Sequence, residues 1–217
     1  MAVYVATDLI EINCDHPAPD AVSTAAELIQ RGGVVAIPTD ALYTLVADPV
    51  NLHAVGRVFK AKGREAQRSL PLLIPDLFMA EELAKELTAR FYLLARHFWP
   101  GPLTVIVPAS AKVPLKVTGG TGRLAMRQSK SPVVNLLLEK LAQPIVATSA
   151  NISGEPTARS GIEVFASMDG AVDLVLDGGT ATGGGSTTID ITEPYWQIIK
   201  QGSISEREIQ DCLQAAG

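Results

Sequence analysis

Short apolar runs that suit buried strands alternate along the chain with segments of helical periodicity. We predict strands at residues 34–37, 70–74, 103–107, 145–148, 172–176, 187–191 and 196–200. We predict helices at residues 21–29, 54–61, 81–98, 132–141 and 205–216. This alternation is typical of an α/β or α+β domain built on a mixed sheet, and no repeat of about 20–50 residues indicates a solenoid or a propeller.

The composition of the chain favours one domain over residues 1–217. Hydrophobic residues make up 47% of it and charged residues 19%, which excludes intrinsic disorder. The net charge of −5 argues against nucleic acid as the main partner, because domains that bind DNA or RNA usually carry a basic excess. Cys14 and Cys212 lie far apart, and we find neither a signal peptide nor a membrane span, so we expect a cytoplasmic protein with no membrane partner.

Two polar segments come directly after predicted strands, at residues 38–43 and 148–154. Open α/β sheets place ligands at such strand ends, and the hydroxyl, amide and backbone N–H groups there could hold a phosphate or a carboxylate. A capped turn explains the same residue types. Taken alone, the first segment favours the turn, and the second is compatible with either role.

Cations and glycines form two further clusters. Lys60, Lys62, Arg64 and Arg68 lie within nine residues at the predicted end of a helix. They suit a phosphate clamp, although the helix dipole alone also favours cations at that end. The glycines within residues 178–185 would either let the backbone approach a ligand or form a flexible hairpin loop.

The sequence gives no pattern for a metal site or for a catalytic nucleophile. His16, His53 and His97 have no metal-ligand spacing, and neither a G-x-S-x-G elbow nor a Walker A loop is present. We therefore assign no metal ligand and no covalent catalytic residue.

Taken together, the motifs resemble the YrdC-type threonylcarbamoyl-AMP synthase family. They occur in family order over about residues 21–204: GVVAIPTD (33–40), LY (42–43), VFKAKGR (58–64), FWPGPLT (98–104), SANISG (149–154), DGG (177–179), STTID (186–190) and Gly202. The resemblance implies a single α/β (α+β) domain with a twisted mixed sheet, flanking helices and a deep concave site. It also implies that the additional C-terminal domain of longer members is absent.

The family reaction joins L-threonine, bicarbonate and ATP, so the resemblance implies a nucleotidyltransferase. A carbamate formed on the threonine amine attacks the α-phosphate, which yields threonylcarbamoyl-AMP and pyrophosphate. That product supplies the machinery that modifies adenosine 37 of tRNA, and direct RNA contact is a further expectation. Mg²⁺ is expected to arrive with ATP, since magnesium bound to phosphates needs few protein ligands.

The resemblance also implies roles for individual residues. The residues implied to bind ATP are Lys60, Lys62, Arg64, Arg68, Arg123, Ser149, Asn151 and Lys200. Those implied to bind threonine are Thr39, Ala41, Tyr43, Arg127 and Ser186.

Several positions differ from the usual family pattern. They are Ala41 (usually Thr), Thr44 (Gly), Arg123 (Thr), Gln128 and Ser129 (Val-Pro), and Lys200 (Arg). Two alternatives therefore stay open: a non-catalytic relative that binds nucleotide or RNA, and a carbamoyl-transfer enzyme that acts on another amine.

Overall fold

The computed structural model describes residues 6–64 and 68–215, which form ten strands and eight helices. The strands are β1 Asp8–Glu11, β2 Val35–Ile37, β3 Thr44–Ala47, β4 Leu72–Leu73, β5 Leu103–Pro108, β6 Arg123–Arg127, β7 Ile145–Ser149, β8 Leu174–Asp177, β9 Thr187–Asp190 and β10 Gln197–Lys200. The helices are α1 Pro19–Gln30, α2 Leu52–Lys62, α3 Leu77–Leu83, α4 Ala89–Phe98, α5 Leu115–Thr118, α6 Pro132–Leu141, α7 Gly161–Met168 and α8 Glu206–Gln214.

All ten strands belong to one mixed sheet in the order β1-β8-β2-β3-β7-β4-β6-β5-β9-β10. The β8 strand pairs in parallel with β1 and β2, β4 pairs in parallel with β6, and β5 with β9. The β3 strand pairs antiparallel with β2 and β7, β4 with β7, β5 with β6, and β9 with β10. The sheet and its helices confirm the predicted α/β class.

Alternating side chains place a buried core on each face of the sheet. Along β2, Val35 and Ile37 pack into a cluster with α1 and α6, whereas Ala36 packs into a second cluster with α2, α4 and α7. Along β5, Val105 packs into the second cluster, while Thr104 and Ile106 lie on the other face and line a cavity. This half of the sheet therefore combines an apolar face with a face that can bind a ligand.

The predicted single helix over residues 81–98 is wrong, because α3 and α4 are separate helices. The α3 helix ends at Leu83, and the next residue, Ala84, has an extended backbone and forms a bridge with Ala109. The Lys85 N–H then donates to the Pro108 carbonyl over 2.8 Å, so this segment pairs with the end of β5 instead of continuing the helix.

The other predicted helices and strands are present with bounds shifted by a few residues. The capping box of Ser205 and Glu208 is formed, although the predicted helix end at residue 216 lies outside the described residues. The sequence patterns missed β1, β3, β6, α5 and α7. Among the described residues, no helix is long and apolar enough to cross a membrane.

Candidate functional site

A cavity of about 300 Å³ opens on the sheet face that β3, β5, β6, β7, β9 and β10 share. Its size lies at the lower end of the range for small-molecule sites. Its polar lining residues other than Tyr43 are Thr44, Arg64, Ser69, Thr104, Arg127, Thr148, Ser149, Ser186, Thr188 and Lys200. None of the described residues that line it is acidic, so the cavity offers hydroxyls and cations to a ligand rich in negatively charged oxygen.

The register of the sheet brings these hydroxyls together. Thr188 of β9 pairs with Thr104 of β5 and with Lys200 of β10, so the three side chains form one row across the sheet. The Thr104 hydroxyl also donates to Ser186 Oγ over 3.2 Å. On the other side of the cavity, Thr44 of β3 pairs with Ser149 of β7.

Lys62 ties the end of α2 to the segment that follows β7. The helix ends at Gly63 in the left-handed conformation, and the Lys62 side chain is buried. Its Nζ donates to the Ser149 carbonyl at 2.5 Å, to the Asn151 carbonyl at 2.9 Å and to Asn151 Oδ1 at 2.9 Å. Ser149 Oγ donates to the same Asn151 Oδ1 over 2.6 Å. The ammonium group therefore fixes two predicted ligand-binding residues and is itself saturated by the protein.

The Arg64 guanidinium forms few hydrogen bonds with the described part of the chain. Its Nη2 makes only a long contact of 3.4 Å with the Ser69 carbonyl, and its buried Nε has no hydrogen-bond partner among residues 6–64 and 68–215. Burial and then the charge of Arg68 lower its pKa, but an arginine stays protonated in proteins. Arg64 therefore lines the cavity as a cation whose donors are available to an anion.

Arg127 also lines the cavity, but much of its guanidinium is already engaged. Its Nε donates to the Gly101 carbonyl over 2.9 Å, and its Nη2 forms a short ion pair with Asp40 Oδ1. Ser129 Oγ donates to the same carboxylate oxygen. Burial is the main influence that lowers the pKa of Arg127, and the neighbouring Asp40 opposes it.

Tyr43 is one of the residues around the cavity, but its side chain is fully buried in the apolar core and its hydroxyl points to the glycine-rich segment. The hydroxyl accepts from the Gly178 N–H at 2.9 Å and lies 2.8 Å from the Gly179 carbonyl and 3.1 Å from Asp177 Oδ1. Burial, more than the nearby carboxylate, raises the pKa of this phenol. Tyr43 therefore supports the cavity wall, with its ring packed in the core and its hydroxyl bonded to the glycine-rich segment.

The glycines let this segment pack closely on neighbouring backbone. A Cβ at Gly183 would lie 2.6 Å from the Ala41 carbonyl oxygen, and a Cβ at Gly202 would lie 2.2 Å from the Gly185 carbonyl oxygen. The Ser203 N–H also donates to the Gly185 carbonyl over 2.9 Å. The glycines therefore allow close packing of neighbouring backbone, a role that was not predicted from the sequence.

The cavity brings together most of the residues that the sequence resemblance singled out. Those that line it are Ala41, Tyr43, Arg64, Arg127, Ser149, Ser186 and Lys200. Lys62 and Asn151 lie directly behind Ser149 through the hydrogen bonds described above. Thr39 caps the turn that carries Ala41, because its Oγ1 accepts from the Ala41 N–H at 3.1 Å and donates to the Leu42 carbonyl at 2.8 Å.

Three further predicted residues lie neither in the lining of the cavity nor in the hydrogen bonds that support it. Lys60 lines a separate surface cleft, because a side chain two positions before Lys62 points to a different face of the helix. Arg68 is exposed. Arg123 is held outside by ion pairs with Asp190 at 2.9 Å and Glu193 at 3.1 Å.

Sequence reasoning missed several residues of the site. Thr104 could have been found, because it is a hydroxyl residue at an alternating position in the apolar strand β5, whereas Thr188 lies in β9, whose sequence TTID is mostly polar. Ser69 also lines the cavity, and Asp177 supports its wall, while Thr148 lies in the segment 148–154 that the sequence had already singled out. Ser69 shows no comparable sequence signal.

Burial of Lys62 should make folding stability depend on pH. Burial, and then the charges of Arg64 and Lys200, lower the pKa of Lys62 to about 8 in the folded protein. In the unfolded chain the pKa of a lysine side chain is about 10.4. Between these values the unfolded chain binds the proton more tightly, so the contribution of Lys62 to stability rises as the pH rises. We expect urea denaturation at pH 8 and pH 10 to show this rise in the natural chain and not in Lys62→Met. Parallel pH dependence of the two proteins would contradict the low pKa.

The Sua5_yciO_yrdC family model, described as "Telomere recombination", matches residues 27–202. Among individual proteins, the chain is 39% identical to a threonylcarbamoyl-AMP synthase of Pyrococcus abyssi, over 88% of this chain and 57% of that protein. It is 32% identical to a threonylcarbamoyl-AMP synthase of Bacillus subtilis, over 87% and 55% respectively. A synthase of the same name from Nitrosococcus oceani is 33% identical over 77% of this chain and 91% of its own length.

Solved structures give a matching result. The crystal structure of P. abyssi Sua5 complexed with L-threonine aligns with a TM-score of 0.91 and 36% identity, over 95% of this chain and 61% of that one. E. coli YciO shares the fold, with a TM-score of 0.86 and 24% identity over 94% of this chain and 99% of its own. The chain spans little more than half the length of the P. abyssi and B. subtilis relatives. The match over residues 27–202 and the sequence identities show that the chain belongs to the Sua5/YciO/YrdC family.

Proposed function

We propose that the chain is a threonylcarbamoyl-AMP synthase, which converts L-threonine, bicarbonate and ATP into threonylcarbamoyl-AMP and pyrophosphate. The observation that carries the proposal is one cavity in which the cations Arg64 and Lys200 face a row of hydroxyls without an acidic residue among the described lining. The names of the relatives from P. abyssi, B. subtilis and N. oceani support the same activity.

The reaction needs positioning and charge neutralisation more than it needs a nucleophilic side chain. Bicarbonate and the threonine amine form a carbamate, with loss of water. A carbamate oxygen then attacks the α-phosphorus, the bond to the bridging oxygen breaks, and pyrophosphate leaves with the electron pair. Cations that neutralise the phosphate oxygens favour this step, because negative charge builds up on the leaving group.

In this proposal Arg64 and Lys200 bind the phosphates. Both line the cavity, and Arg64 Nε has no hydrogen-bond partner among the described residues. A guanidinium can form two parallel hydrogen bonds with a phosphate, whereas the Lys200 ammonium acts as a point charge. Ser149 would lie beside the phosphates, in a segment that Lys62 holds in place.

Threonine would occupy the part of the cavity between the segment that carries Ala41 and Arg127. Arg127 supplies a positive charge for the threonine carboxylate, and Ser186 and Thr104 supply hydroxyls nearby. Ala41 offers only a methyl group to the ligand, so recognition of the threonine hydroxyl falls to the neighbouring hydroxyl side chains.

Magnesium would be bound mainly by the phosphates of ATP. The described lining of the cavity offers no carboxylate, and the described residues contain no cluster of three His, Cys, Asp or Glu side chains able to hold a metal. This donor set fits an ion that keeps its phosphate and water ligands. Bound in this way, Mg²⁺ would neutralise phosphate charge beside Arg64 and Lys200.

The proposal also covers the setting of the reaction. Threonylcarbamoyl-AMP is a reactive mixed anhydride, so an enzyme that transfers the threonylcarbamoyl group to adenosine 37 of tRNA must consume it. We place both steps in the cytoplasm.

Mass spectrometry with isotope-labelled bicarbonate tests the proposed activity. The purified chain is incubated with ATP, Mg²⁺, L-threonine and ¹³C-bicarbonate, and the products are separated. We expect an adenylate whose carbamoyl carbon carries the label. An adenylate without the label would contradict the proposal. So would a labelled adenylate that forms only when another amine replaces threonine in the reaction.

A further inference from the structure

Asp40 and Arg127 form a buried ion pair at the edge of the cavity. Their side chains are 4% and 8% exposed, and Arg127 Nη2 bonds to Asp40 Oδ1. Two further contacts fix the pair, because Arg127 Nε donates to the Gly101 carbonyl and Ser129 Oγ donates to Asp40 Oδ1. Ser129 is itself held in place, since its Oγ accepts from the Ser131 N–H at 3.1 Å.

The pair has an asymmetric geometry. A carboxylate and a guanidinium that serve only to hold a structure together are often joined by two parallel hydrogen bonds. Here Arg127 Nη2 and Ser129 Oγ both donate to Asp40 Oδ1. Asp40 Oδ2 is buried and has no hydrogen-bond partner among the described residues. Burying an unpaired carboxylate oxygen is costly, so the arrangement is not the most stabilising one available to these residues.

This geometry leaves one corner of the guanidinium available to a ligand. Arg127 Nη2 donates to Asp40 Oδ1, and Arg127 Nε donates to the Gly101 carbonyl. No hydrogen bond to a described residue engages Arg127 Nη1. Because two edges of a planar group are fixed, the direction of Nη1 is fixed as well. Arg127 lines the cavity, so this nitrogen is the part of the side chain that is free to meet an anion.

Fixing the guanidinium in advance should strengthen ligand binding. A free arginine side chain loses rotamer entropy when a ligand orders it. In this chain Asp40 and Gly101 order it before the ligand arrives, so the ligand gains affinity through preorganisation.

We propose that Asp40, supported by Ser129, is a positioning residue that orients Arg127 toward the carboxylate of the amino-acid substrate. The proposal rests on the proposed function, because it assigns the amino acid to the Arg127 side of the cavity. Asp40 contacts no substrate in it and acts only through Arg127.

Asp40→Asn tests the proposal with little change in shape. The Asn Oδ1 can still accept from Arg127 and Ser129, and its Nδ2 takes the place of the unpartnered Oδ2. We expect the KM for threonine to rise by up to about 100-fold, the range set by one charge-assisted hydrogen bond. The KM for ATP should stay within about twofold. Ser129→Ala keeps the charges and should raise the threonine KM about two- to tenfold, as for a neutral hydrogen bond.

Asp173→Asn is the matched control. Asp173 pairs with Arg57 at 2.8 Å and accepts from the Val34 N–H, and neither residue of this pair lines the cavity. We expect the control to lower the melting temperature and to leave the ratio of the two KM values unchanged. Calorimetric binding of L-threonine to the natural chain, Asp40→Asn and Ser129→Ala gives the same comparison without turnover.

The outcomes separate the two proposals. If both Asp40→Asn and Ser129→Ala change the two KM values equally, or only lower the melting temperature as the control does, the pair is structural and the positioning role is overturned. If Asp40→Asn does not fold, Ser129→Ala decides the question through the same ratio. If the natural chain makes product and the variants keep its threonine affinity, only the positioning role fails. If the natural chain neither binds threonine nor makes product, the proposed function fails, and the positioning role fails with it.

Discussion

Replacing Arg64 and Lys200 together with alanine should weaken ATP binding by about 10²- to 10⁴-fold. Each residue presents a cation to the cavity, and hydrogen bonds to charged groups contribute about 1.5–3 kcal/mol each. Two such contacts amount to roughly 3–6 kcal/mol, and about 1.4 kcal/mol corresponds to a factor of ten in affinity. Isothermal titration calorimetry with ATP and Mg²⁺ measures the effect directly.

Lys60→Ala combined with Arg68→Ala is the matched control for this variant. It removes the same number of positive charges, but both side chains are exposed and neither lines the cavity. Exposed charges act on a ligand mainly through screened, long-range attraction, so we expect at most a small loss of ATP affinity. Equal losses in the two double variants would show that net charge, and not direct contact, drives ATP binding.

Replacing Gly202 with alanine should both destabilise the protein and disable the cavity. The added Cβ would lie 2.2 Å from the Gly185 carbonyl oxygen, 2.4 Å from the Ser186 carbonyl carbon and 2.5 Å from the Thr187 nitrogen. These are backbone atoms, so the clash can be relieved only if the backbone around Gly185 and Ser186 moves. Both residues line the cavity, so this movement would change its shape. Overpacking of this kind costs about 3 kcal/mol, which for a chain of this length corresponds to a fall of about 6–12 °C in melting temperature.

Gly185→Ala provides the comparison for the Gly202 variant. Among the described residues, a Cβ at Gly185 would meet only the Lys200 side chain, with Nζ at 3.7 Å and Cε at 4.0 Å, which are ordinary contacts with a flexible side chain. We expect this variant to melt within about 2 °C of the natural chain, since the added methyl changes stability by about 0.5 kcal/mol or less. If differential scanning calorimetry gives both variants the same melting temperature, the close backbone packing at Gly202 is not as described.

The sequence predicted the fold class because its strongest patterns came from buried elements. The apolar run of β2 and the helical face of α1 are set by burial, which leaves a direct trace in the order of residues. The break between α3 and α4 left no such trace. It depends on the pairing of Ala84 with Ala109, and periodicity within a segment does not report a contact between segments.

The site was predictable to the extent that its residues lie in compact motifs. Ser149 and Lys62 were found in this way, and the fold joins them by a direct hydrogen bond. The motif could not show that the Lys62 ammonium is saturated by the protein, because its acceptors are mostly backbone carbonyls. It also could not separate Lys60 from Arg64, since only the helix and its end decide which side chain reaches the cavity.

Ion pairs were the least predictable part of the site. Arg123 and Arg127 lie four residues apart on β6, and the sequence treats them as similar candidates. Acidic partners from distant segments separate them, because Asp190 and Glu193 hold Arg123 outside the cavity, whereas Asp40 holds Arg127 at its edge. Contacts between such distant residues exist only once the sheet has formed.

Pyrophosphate release in reactions that each omit one substrate tests the central claim most directly. The complete reaction contains the purified chain, ATP, Mg²⁺, L-threonine and bicarbonate, and a coupled assay follows pyrophosphate. We predict steady release in the complete reaction and a fall to background when threonine, bicarbonate or ATP is left out. Release that continues without threonine or without bicarbonate, or no release from a chain that binds ATP, would contradict the assignment as a threonylcarbamoyl-AMP synthase.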